Sequence, residues 1–348
     1  MRGTPGFRPS YVLAMMRGLF SPRAWTLFAL LAILCAPSIP AQEPSPSPGT
    51  SGTTFRVSSN LVLVDVMALG SADGHPLGTL TRDDFQVSDN GHRVATKTFD
   101  SGSAARPLVL WFLVQCSMQD WDAQGSGLFR GHIDLLDPAL KDLDKQDTVA
   151  VAHWCDNGDA AVDLKPTPNL NELTGTLEQV LTPVINLPSH NRPGELALQK
   201  ALQHIVDATR ESAPEAVPVV IFLYGDYSAM PKSEADHLID ELLRTSAIVF
   251  GIRDRQSPQI PSFWTAQGAV AKYIADQTGG QYLIETLNTY AEGLKEILRQ
   301  LHFRYELGFR PKSLDGKRHK LRVTLRGRAK DQNKDLRLRY RTAYVPIG

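Results

Sequence analysis

Apolar runs alternate with amphipathic stretches over the middle of the chain. Six runs rich in β-branched and aromatic residues predict buried strands, and they comprise residues 108–114, 148–154, 160–164, 217–223, 247–252 and 281–284. Between them, apolar residues recur at spacings of three and four, which predicts helices with one core-facing stripe, as at Leu198, Leu202 and Ile205. Strands that alternate with helices indicate βαβ units around a mainly parallel sheet.

Two signals predict helix boundaries within this region. Ser233 followed by Asp236 is a variant of the capping box, so we expect a helix to begin there. The sequence Thr278-Gly279-Gly280 predicts the end of another helix, because glycine accepts the left-handed conformation that closes a helix. Both signals separate a helix from a neighbouring strand.

The two ends of the folded chain have β character. Residues 55–99 contain strand-like runs separated by Asp-Gly and Asn-Gly turn signals, and residues 303–344 contain three further runs. Each end alone is too small to cover both faces of its strands. We therefore predict that the ends pair into a smaller β-sandwich-like domain with the α/β domain inserted between them. The alternative is two independent β modules.

The predicted organisation has five segments. They are a signal peptide at 1–41, a Pro/Ser/Gly-rich linker at 42–54, an N-terminal β segment at 55–104, an α/β domain at 105–301 and a C-terminal basic β segment at 302–348. The first is assigned because arginines precede an apolar run that is too short to span a bilayer comfortably. Met1, Met15 and Met16 are alternative starts. We expect an exported protein, periplasmic or secreted to the cell envelope, without a transmembrane segment once the signal is removed.

The formal net charge is zero, but the charge is unevenly distributed. Residues 302–348 hold 14 Lys and Arg against 4 Asp and Glu. One interpretation is a docking patch for an anionic envelope polymer. The other is a solvated sheet face, because basic and apolar residues alternate with period two at 320–323 and 336–339. The alternation favours the solvated face, and we expect no nucleic acid partner.

Catalytic motifs are absent from the sequence. It contains no Gly-x-Ser-x-Gly, no His-Glu-x-x-His, no phosphate-binding glycine-rich loop and no Cys-x-x-Cys. Ser117 and His153 on a neighbouring strand are the one nucleophile pair to consider, but a histidine near a strand end is more often structural. We assign no catalytic residue and predict a protein that is not an enzyme.

Four separated segments resemble an acidobacterial family of exported proteins related to the von Willebrand factor type A (VWFA) domain. They are LTRDDF with the following DNG, the strand at 106–113, DTVAVAHWCDNGDAAVDL at 147–164, and residues 274–311. The resemblance implies an α/β, Rossmann-like, mainly parallel sheet with helices on both faces, in the strand order 3-2-1-4-5-6 with the third strand antiparallel. It also implies a metal-ion-dependent adhesion site at the C-terminal edge of the sheet, whose Mg²⁺ accepts an acidic side chain of a protein partner.

The metal-binding residues of that family are mostly replaced in this chain. The Asp-x-Ser-x-Ser loop falls on Gln115, Ser117 and Gln119, the later threonine near Glu195, and the last aspartate on Asp226 or its neighbour. Only Ser117 and Asp226 keep metal-ligand chemistry. An amide in place of a carboxylate loses at most roughly 8 kcal/mol of attraction to a doubly charged cation at an effective dielectric near 20. We therefore predict a degenerate site, with Mg²⁺ bound weakly or not at all and no other cofactor.

The predicted ligand-binding edge comprises Gln115, Ser117, Gln119, Trp121, Glu195 and Asp226. Within it, Trp121 is an apolar contact for the partner. Cys116 and Cys155 follow neighbouring predicted strands, whose spacing of about 4.8 Å is within reach of a disulfide bond. The alternative is two buried thiols.

The predicted function is an exported, non-enzymatic adhesion-type module that binds a protein partner at this edge. One alternative is Mg²⁺-dependent adhesion through a weakened site. Another is a structural protein of the cell envelope whose basic β segment contacts anionic polymers. The partner itself is not identified by any motif in the sequence.

Overall fold

A computed structural model describes most of the chain from residue 61 onward. The described residues are 61–71, 74–115, 136, 138–141, 143–155, 158–181, 194–223, 230–254, 270–286 and 289–346, with only the backbone described at 103, 181, 194–196, 253 and 254. The predicted signal peptide and linker lie outside them. All described residues belong to one compact unit, Ser58–Gly348. No helix in these ranges is long and apolar enough to cross a membrane.

The described strands and helices alternate over the middle of the chain and are mainly strands in the flanking segments, as the hydrophobic pattern predicts. The strands are β1 (Val62–Gly70), β2 (Phe85–Asp89), β3 (His92–Val94), β4 (Thr96–Ser101), β5 (Leu108–Gln115), β6 (Thr148–Trp154), β7 (Ala160–Thr167), β8 (Val217–Leu223), β9 (Ile248–Asp254), β10 (Tyr282–Glu285), β11 (Tyr305–Phe309), β12 (His319–Leu325), β13 (Leu336–Arg339) and β14 (Ala343–Tyr344). The helices are α1 (Leu170–Leu181), α2 (Gly194–Ser212), α3 (Lys232–Thr245), α4 (Val270–Thr278), α5 (Tyr290–His302) and α6 (Gly327–Gln332).

Strands β5 to β10 form a six-stranded sheet at the centre of the α/β region. Its spatial order is β10-β9-β8-β5-β6-β7, and of these strands β7 alone runs antiparallel to its neighbour. Counted from β5 along the chain, this is the order 3-2-1-4-5-6 with the third strand antiparallel. The strand order and directions that the resemblance implied are therefore confirmed.

Helices cover both faces of this sheet, because β5 divides its side chains between two apolar clusters. Leu110 and Phe112 join one cluster with residues of α1 and α5. Trp111 and Leu113 join another with residues of α2, α3 and α4. All eight residues of β5 are buried. The uninterrupted apolar run that predicted a central strand is thus explained by burial on both faces.

The two predicted helix boundaries had different outcomes. α3 has Pro231 as its N-cap and no side-chain hydrogen bond at the cap, so the capping box predicted from Ser233 and Asp236 is wrong. The proline ring favours the φ of −61° that is observed at this N-cap. Proline has no side-chain acceptor, so the first N–H groups of the helix receive no side-chain hydrogen bond. The predicted stop is confirmed, because α4 ends at Thr278 and Gly279 has a φ of +93°.

The C-terminal β run is divided, and two helices were not predicted. The pattern at 336–344 predicts one strand, but β13 pairs with β1 while β14 pairs with β12 in a different sheet. Between them Arg341 is buried and donates to the backbone oxygen of Leu243 at 3.0 Å, which draws the chain toward α3. α1 and α6 are the helices that the sequence interpretation missed. In α1, Leu173 and Leu177 have the helical spacing that would have indicated it.

The flanking segments form two four-stranded sheets, and each sheet contains strands from both ends of the chain. One has the order β13-β1-β11-β4 and the other β14-β12-β2-β3. The pairs β1–β11, β1–β13 and β2–β12 are all antiparallel. One apolar cluster draws on both sheets and includes Val66, Phe85, Tyr305 and Val323.

A buried charge network connects these flanking strands to the segment that leads into β5. Asp65 of β1 accepts hydrogen bonds from Arg304 Nε at 3.0 Å and from Arg106 Nη2 at 3.2 Å. Arg106 also forms an ion pair with Glu306 of β11. The side chains of Asp65, Arg304 and Glu306 are 5%, 3% and 6% exposed, so the loss of one partner would leave a charge without compensation.

Candidate functional site

The C-terminal edge of the central sheet is where the parallel strands β5, β6 and β8 end. Gln115 is the last residue of β5, pairs in register with Trp154 of β6, and is 3% exposed. Open α/β sheets place ligand-binding loops beyond the carboxyl ends of such strands. Gln115 therefore lies at the edge where the sequence interpretation placed the binding site.

Most other predicted edge residues lie outside the described residues. These are Ser117, Gln119, Trp121 and Asp226, together with the predicted disulfide partner Cys116. Glu195 is the second residue of α2, and only its backbone is described. The site assigned to these residues stays a prediction.

Gln115 by itself does not supply the carboxylate that a magnesium ion prefers. At the first ligand position implied by the resemblance, Gln115 offers a neutral amide oxygen within a nearly fully buried side chain. Mg²⁺ gives up its water reluctantly and is usually held through one or two carboxylates. An amide supplies an acceptor atom without the negative charge that would offset this dehydration.

The β6–β7 hairpin carries a histidine between two carboxylates at the same edge. His153 Nδ1 lies 2.9 and 2.8 Å from the two carboxylate oxygens of Asp163, and its Nε2 lies 3.6 Å from Asp159 Oδ2. The hydrogen bond with Asp163 raises the pKa of His153, although partial burial opposes this effect. The ring is thus held by its own hairpin. This geometry supports the structural interpretation of His153 over a role as a base for Ser117.

Cys155 follows β6 and takes part in a disulfide bond. Its Sγ, a nitrogen of His153 and a carboxylate oxygen of Asp159 lie within 4.8 Å of one another, as metal ligands would. A disulfide sulfur offers no thiolate, so only His153 and Asp159 remain as ligands. Zinc sites in proteins usually use three or four protein ligands. With the disulfide formed, this group does not make a zinc site.

A second histidine–carboxylate group lies at the opposite edge of the sheet. Asp147 Oδ1 accepts the backbone N–H of Leu108, at the start of β5, at 2.8 Å. Its other oxygen lies 3.4 Å from His302 Nε2, and Asp144 lies 3.7 Å from the same nitrogen. Asp147 therefore satisfies a buried backbone donor and connects it to the end of α5. We interpret this group as structural.

A third group, in the flanking sheet β14-β12-β2-β3, contains a serine, a histidine and an aspartate. His319 Nδ1 lies 2.9 Å from Asp89 Oδ1 and 3.1 Å from the Tyr344 hydroxyl. His319 Nε2 lies 3.4 Å from Ser313 Oγ but only 3.1 Å from Asp315 Oδ1. Because a carboxylate faces each ring nitrogen, Nε2 is not placed to accept the serine proton, as a nucleophilic triad requires. The sequence interpretation missed this group, whose members come from β2, β12, β14 and a turn.

The fold is a Rossmann-like α/β sheet with the strand order that the resemblance to VWFA domains implies, and a neutral amide side chain, Gln115, ends its central strand. The strand order is observed directly from the hydrogen-bonded pairs, and it carries the argument for the fold. No family model and no curated protein matches the chain.

Several solved structures are similar in fold at low sequence identity. A von Willebrand factor type A protein from Catenulispora acidiphila is 12% identical over 75% of this chain and 72% of its own, with a TM-score of 0.42. An aerotolerance-related membrane protein from Bacteroides fragilis is 13% identical over 56% and 99%, with a TM-score of 0.41. Proximal thread matrix protein 1 from the mussel byssus, with a zinc-occupied MIDAS motif, is 13% identical over 59% and 48%, with a TM-score of 0.39. At TM-scores below 0.5, these likenesses add nothing to the inference of function.

Proposed function

We propose that this chain is an exported, non-enzymatic interaction protein of adhesion type, which binds a protein partner at the C-terminal edge of its central sheet without tight metal binding. The observation that carries the proposal is Gln115. It ends the central strand at the edge where such sheets bind ligands, and it brings no charge for a metal. In this proposal, side-chain hydroxyls, amides and Trp121 contact the partner directly.

The disulfide bond of Cys155 supports a fixed loop at this edge. Gln115 and Trp154 are paired in register at the ends of two neighbouring strands, and Cys116 and Cys155 directly follow them in the sequence. The proposal assigns Cys116 as the partner of Cys155, which would hold the start of the loop after β5. A fixed loop loses less conformational entropy when a partner binds.

The proposal also covers the flanking segments. Because both four-stranded sheets combine strands from the two ends of the chain and share an apolar cluster, we assign them to one β-sandwich-like domain that carries the inserted α/β domain. In this arrangement the α/β domain, with its binding edge, would be joined at both of its ends to one β domain.

Titration of Mg²⁺ into the purified protein by calorimetry tests the metal-independent proposal against a weakened Mg²⁺ site through Ser117 and Asp226. We expect no binding with a dissociation constant below about 1 mM, because the charge at position 115 is missing. Gln115→Asp should tighten Mg²⁺ binding by about tenfold or more. The matched control is Gln86→Asp, which adds the same charge on β2 and should leave Mg²⁺ binding unchanged. Submillimolar binding to the unaltered protein would establish the metal-dependent alternative.

Capture of partners from an envelope extract tests the location of the binding edge. Trp121→Ala should weaken the capture of any specific partner, because a buried aromatic contact is a common source of binding energy. Phe303→Ala is the control, since Phe303 is an aromatic residue that is 49% exposed away from this edge. If both variants capture the partner equally well, the edge is not its binding surface.

A further inference from the structure

The outer face of the sheet β14-β12-β2-β3 carries a row of basic side chains. Ser88 of β2 pairs in register with Arg93 of β3 on one side and with Arg322 of β12 on the other. Residues directly opposite one another share a face of the sheet, so Arg93, Ser88 and Arg322 lie in line across the three strands. Lys320 lies two positions before Arg322 on the same strand and therefore on the same face. We call Arg93, Lys320 and Arg322 the basic row.

The basic row faces solvent while the alternate residues of the same strands form the core. Arg93, Lys320 and Arg322 are exposed. Val87, Leu321 and Val323 point to the opposite face and join the apolar cluster shared by the flanking sheets. The buried register of the strands therefore fixes the backbone positions from which these basic side chains extend.

The side chains of the basic row are not neutralised by acidic neighbours among the described residues. They differ in this from exposed lysines of the α/β region that face carboxylates, as in the ion pairs Lys165–Glu211, Lys232–Asp236, Lys272–Asp276 and Lys295–Glu292. Within the described part of the chain, no carboxylate lies within ion-pair distance of the three basic-row side chains. Adjacent like charges on a sheet are unfavourable, and an anionic ligand would relieve this repulsion.

The spacing of the basic row suits a chain of negative charges. Arg93 and Arg322 are two strands apart, which is roughly 10 Å, and Lys320 and Arg322 are roughly 7 Å apart along β12. The face also carries the polar residues Gln86 and Thr324, which pair in register. It has no aromatic side chain on which bases could stack. No exposed large apolar residue of the described chain lies on these three strands, so insertion into a lipid surface has no support.

We propose that the basic row is a binding surface for an acidic polysaccharide, whose carboxylates pair with Arg93, Lys320 and Arg322. Guanidinium groups form two parallel hydrogen bonds with a carboxylate, and an ammonium group adds a point charge between successive anionic sugars. This surface is built from strands other than those of the proposed protein-binding edge. It gives an exported protein a second contact, to an anionic polymer of the envelope.

Binding to immobilised polygalacturonate, with neutral dextran as the reference, tests the proposal on the purified protein. The triple variant Arg93→Gln, Lys320→Gln and Arg322→Gln should raise the dissociation constant by about tenfold or more, because three charge-assisted contacts are lost. Binding of the unaltered protein should weaken with added salt, since exposed charges are screened. Failure of the unaltered protein to prefer polygalacturonate over dextran would overturn the proposal.

The matched control removes the same charge from the α/β region. Lys141, Lys145 and Lys200 are exposed and have no ion pair among the described residues, so their joint replacement by Gln changes the net charge equally. We expect this control to bind polygalacturonate like the unaltered protein. An equal loss in both triple variants would show that net charge alone drives binding and would refute the basic row.

Three further measurements complete the test. Single-stranded DNA and anionic lipid vesicles, measured at the same salt concentration, should bind more weakly than polygalacturonate, and tighter binding of either would reject the polysaccharide. The single variants Arg93→Gln and Arg322→Gln should each weaken binding, which keeps the test informative if the triple variant unfolds. Gln115→Asp should leave polygalacturonate binding unchanged, so this surface can fail independently of the proposed edge.

Discussion

At the scale of single residues, the side chains with candidate chemistry are mostly engaged by neighbours that a linear sequence does not reveal. His153 is a strand-end histidine in the sequence, and the structure places Asp163 against its Nδ1 and Asp159 near its Nε2. Asp89 belongs to a turn signal in the sequence. In the structure its Oδ1 lies 2.9 Å from Nδ1 of His319, which is 230 positions away in the chain. Trp111 and Trp154, by contrast, are buried in the apolar core and belong to no candidate site.

The His153–Asp163 pair predicts a stability difference that depends on pH. The pKa of His153 is raised in the folded protein, so the pair stabilises it fully below the unfolded value of 6.5 and loses this effect as pH rises through the folded pKa. Asp163→Asn should therefore lower the free energy of unfolding by about 1–2 kcal/mol at pH 5.5 and by less at pH 8.5. Urea unfolding at both pH values measures this change.

The control for that pair is Asp159→Asn. Its carboxylate is 65% exposed and 3.6 Å from His153 Nε2, so the replacement should change the free energy of unfolding by less than about 0.5 kcal/mol. A loss in Asp163→Asn of the same size at both pH values would contradict the assigned role of the imidazolium.

At the scale of elements, periodicity predicted the central strands and most of the long helices, but not every boundary. β5, β6 and β8 are short, mostly apolar runs because they are largely buried on both faces of the sheet, and this makes them recognisable in the sequence. The capping box predicted for α3 was wrong, although the helix begins at Lys232, next to Ser233, because Ser and Asp also occur inside a first helical turn. The close of α4 was correct because only glycine suits the conformation and the space found there.

Two glycines, Gly280 in the turn between α4 and β10 and Gly175 within α1, should respond in opposite ways to replacement by alanine. A Cβ at Gly280 would lie 1.9 Å from the backbone oxygen of Val249, so Gly280→Ala should destabilise the protein by about 3 kcal/mol or more. Gly175 lies within α1 with no atom within 4 Å of an added Cβ, so Gly175→Ala should stabilise by roughly 0.5–1 kcal/mol. Thermal and urea unfolding of both variants measure the difference, and a similar effect of the two would refute the close approach at Gly280.

At the scale of the whole molecule, buried charged side chains connect the flanking β strands to the α/β region. Arg341, between β13 and β14, donates to the backbone oxygen of Leu63 at 2.5 Å and to Ser246 Oγ at 2.9 Å. Burial lowers the pKa of Arg341 to about 10, so it remains charged at neutral pH. Together with the Asp65 network, it links β1, α3 and the C-terminal strands. We therefore expect the described parts of the chain to unfold cooperatively.

The Asp65 network predicts a large effect of one conservative replacement. Asp65→Asn should lower the free energy of unfolding by about 3–5 kcal/mol, because Arg304 remains buried without its full counter-charge. Asp65→Asn combined with Arg304→Met should recover part of this loss. Asp83→Asn is the control, since the Asp83 side chain is 80% exposed and its ion pairs should contribute less than about 1 kcal/mol. Urea unfolding of each variant measures these changes.

Cooperative unfolding is a separate expectation. Urea unfolding of the unaltered protein should give coincident transitions by tryptophan fluorescence and by circular dichroism; separate transitions would contradict the linkage.

The sequence alone determined the class of fold, the central strand β5 and the position of Gln115 at its end, because these depend on short-range periodicity and on the local end of an apolar run. Tertiary structure decided which strands of the two chain ends pair, where the run at 336–344 divides, which carboxylates face His153 and His319, and that the basic row stands without carboxylates. These features depend on residues that are far apart in the chain. Their contacts are set by strand register and packing, which local hydrophobic pattern does not specify.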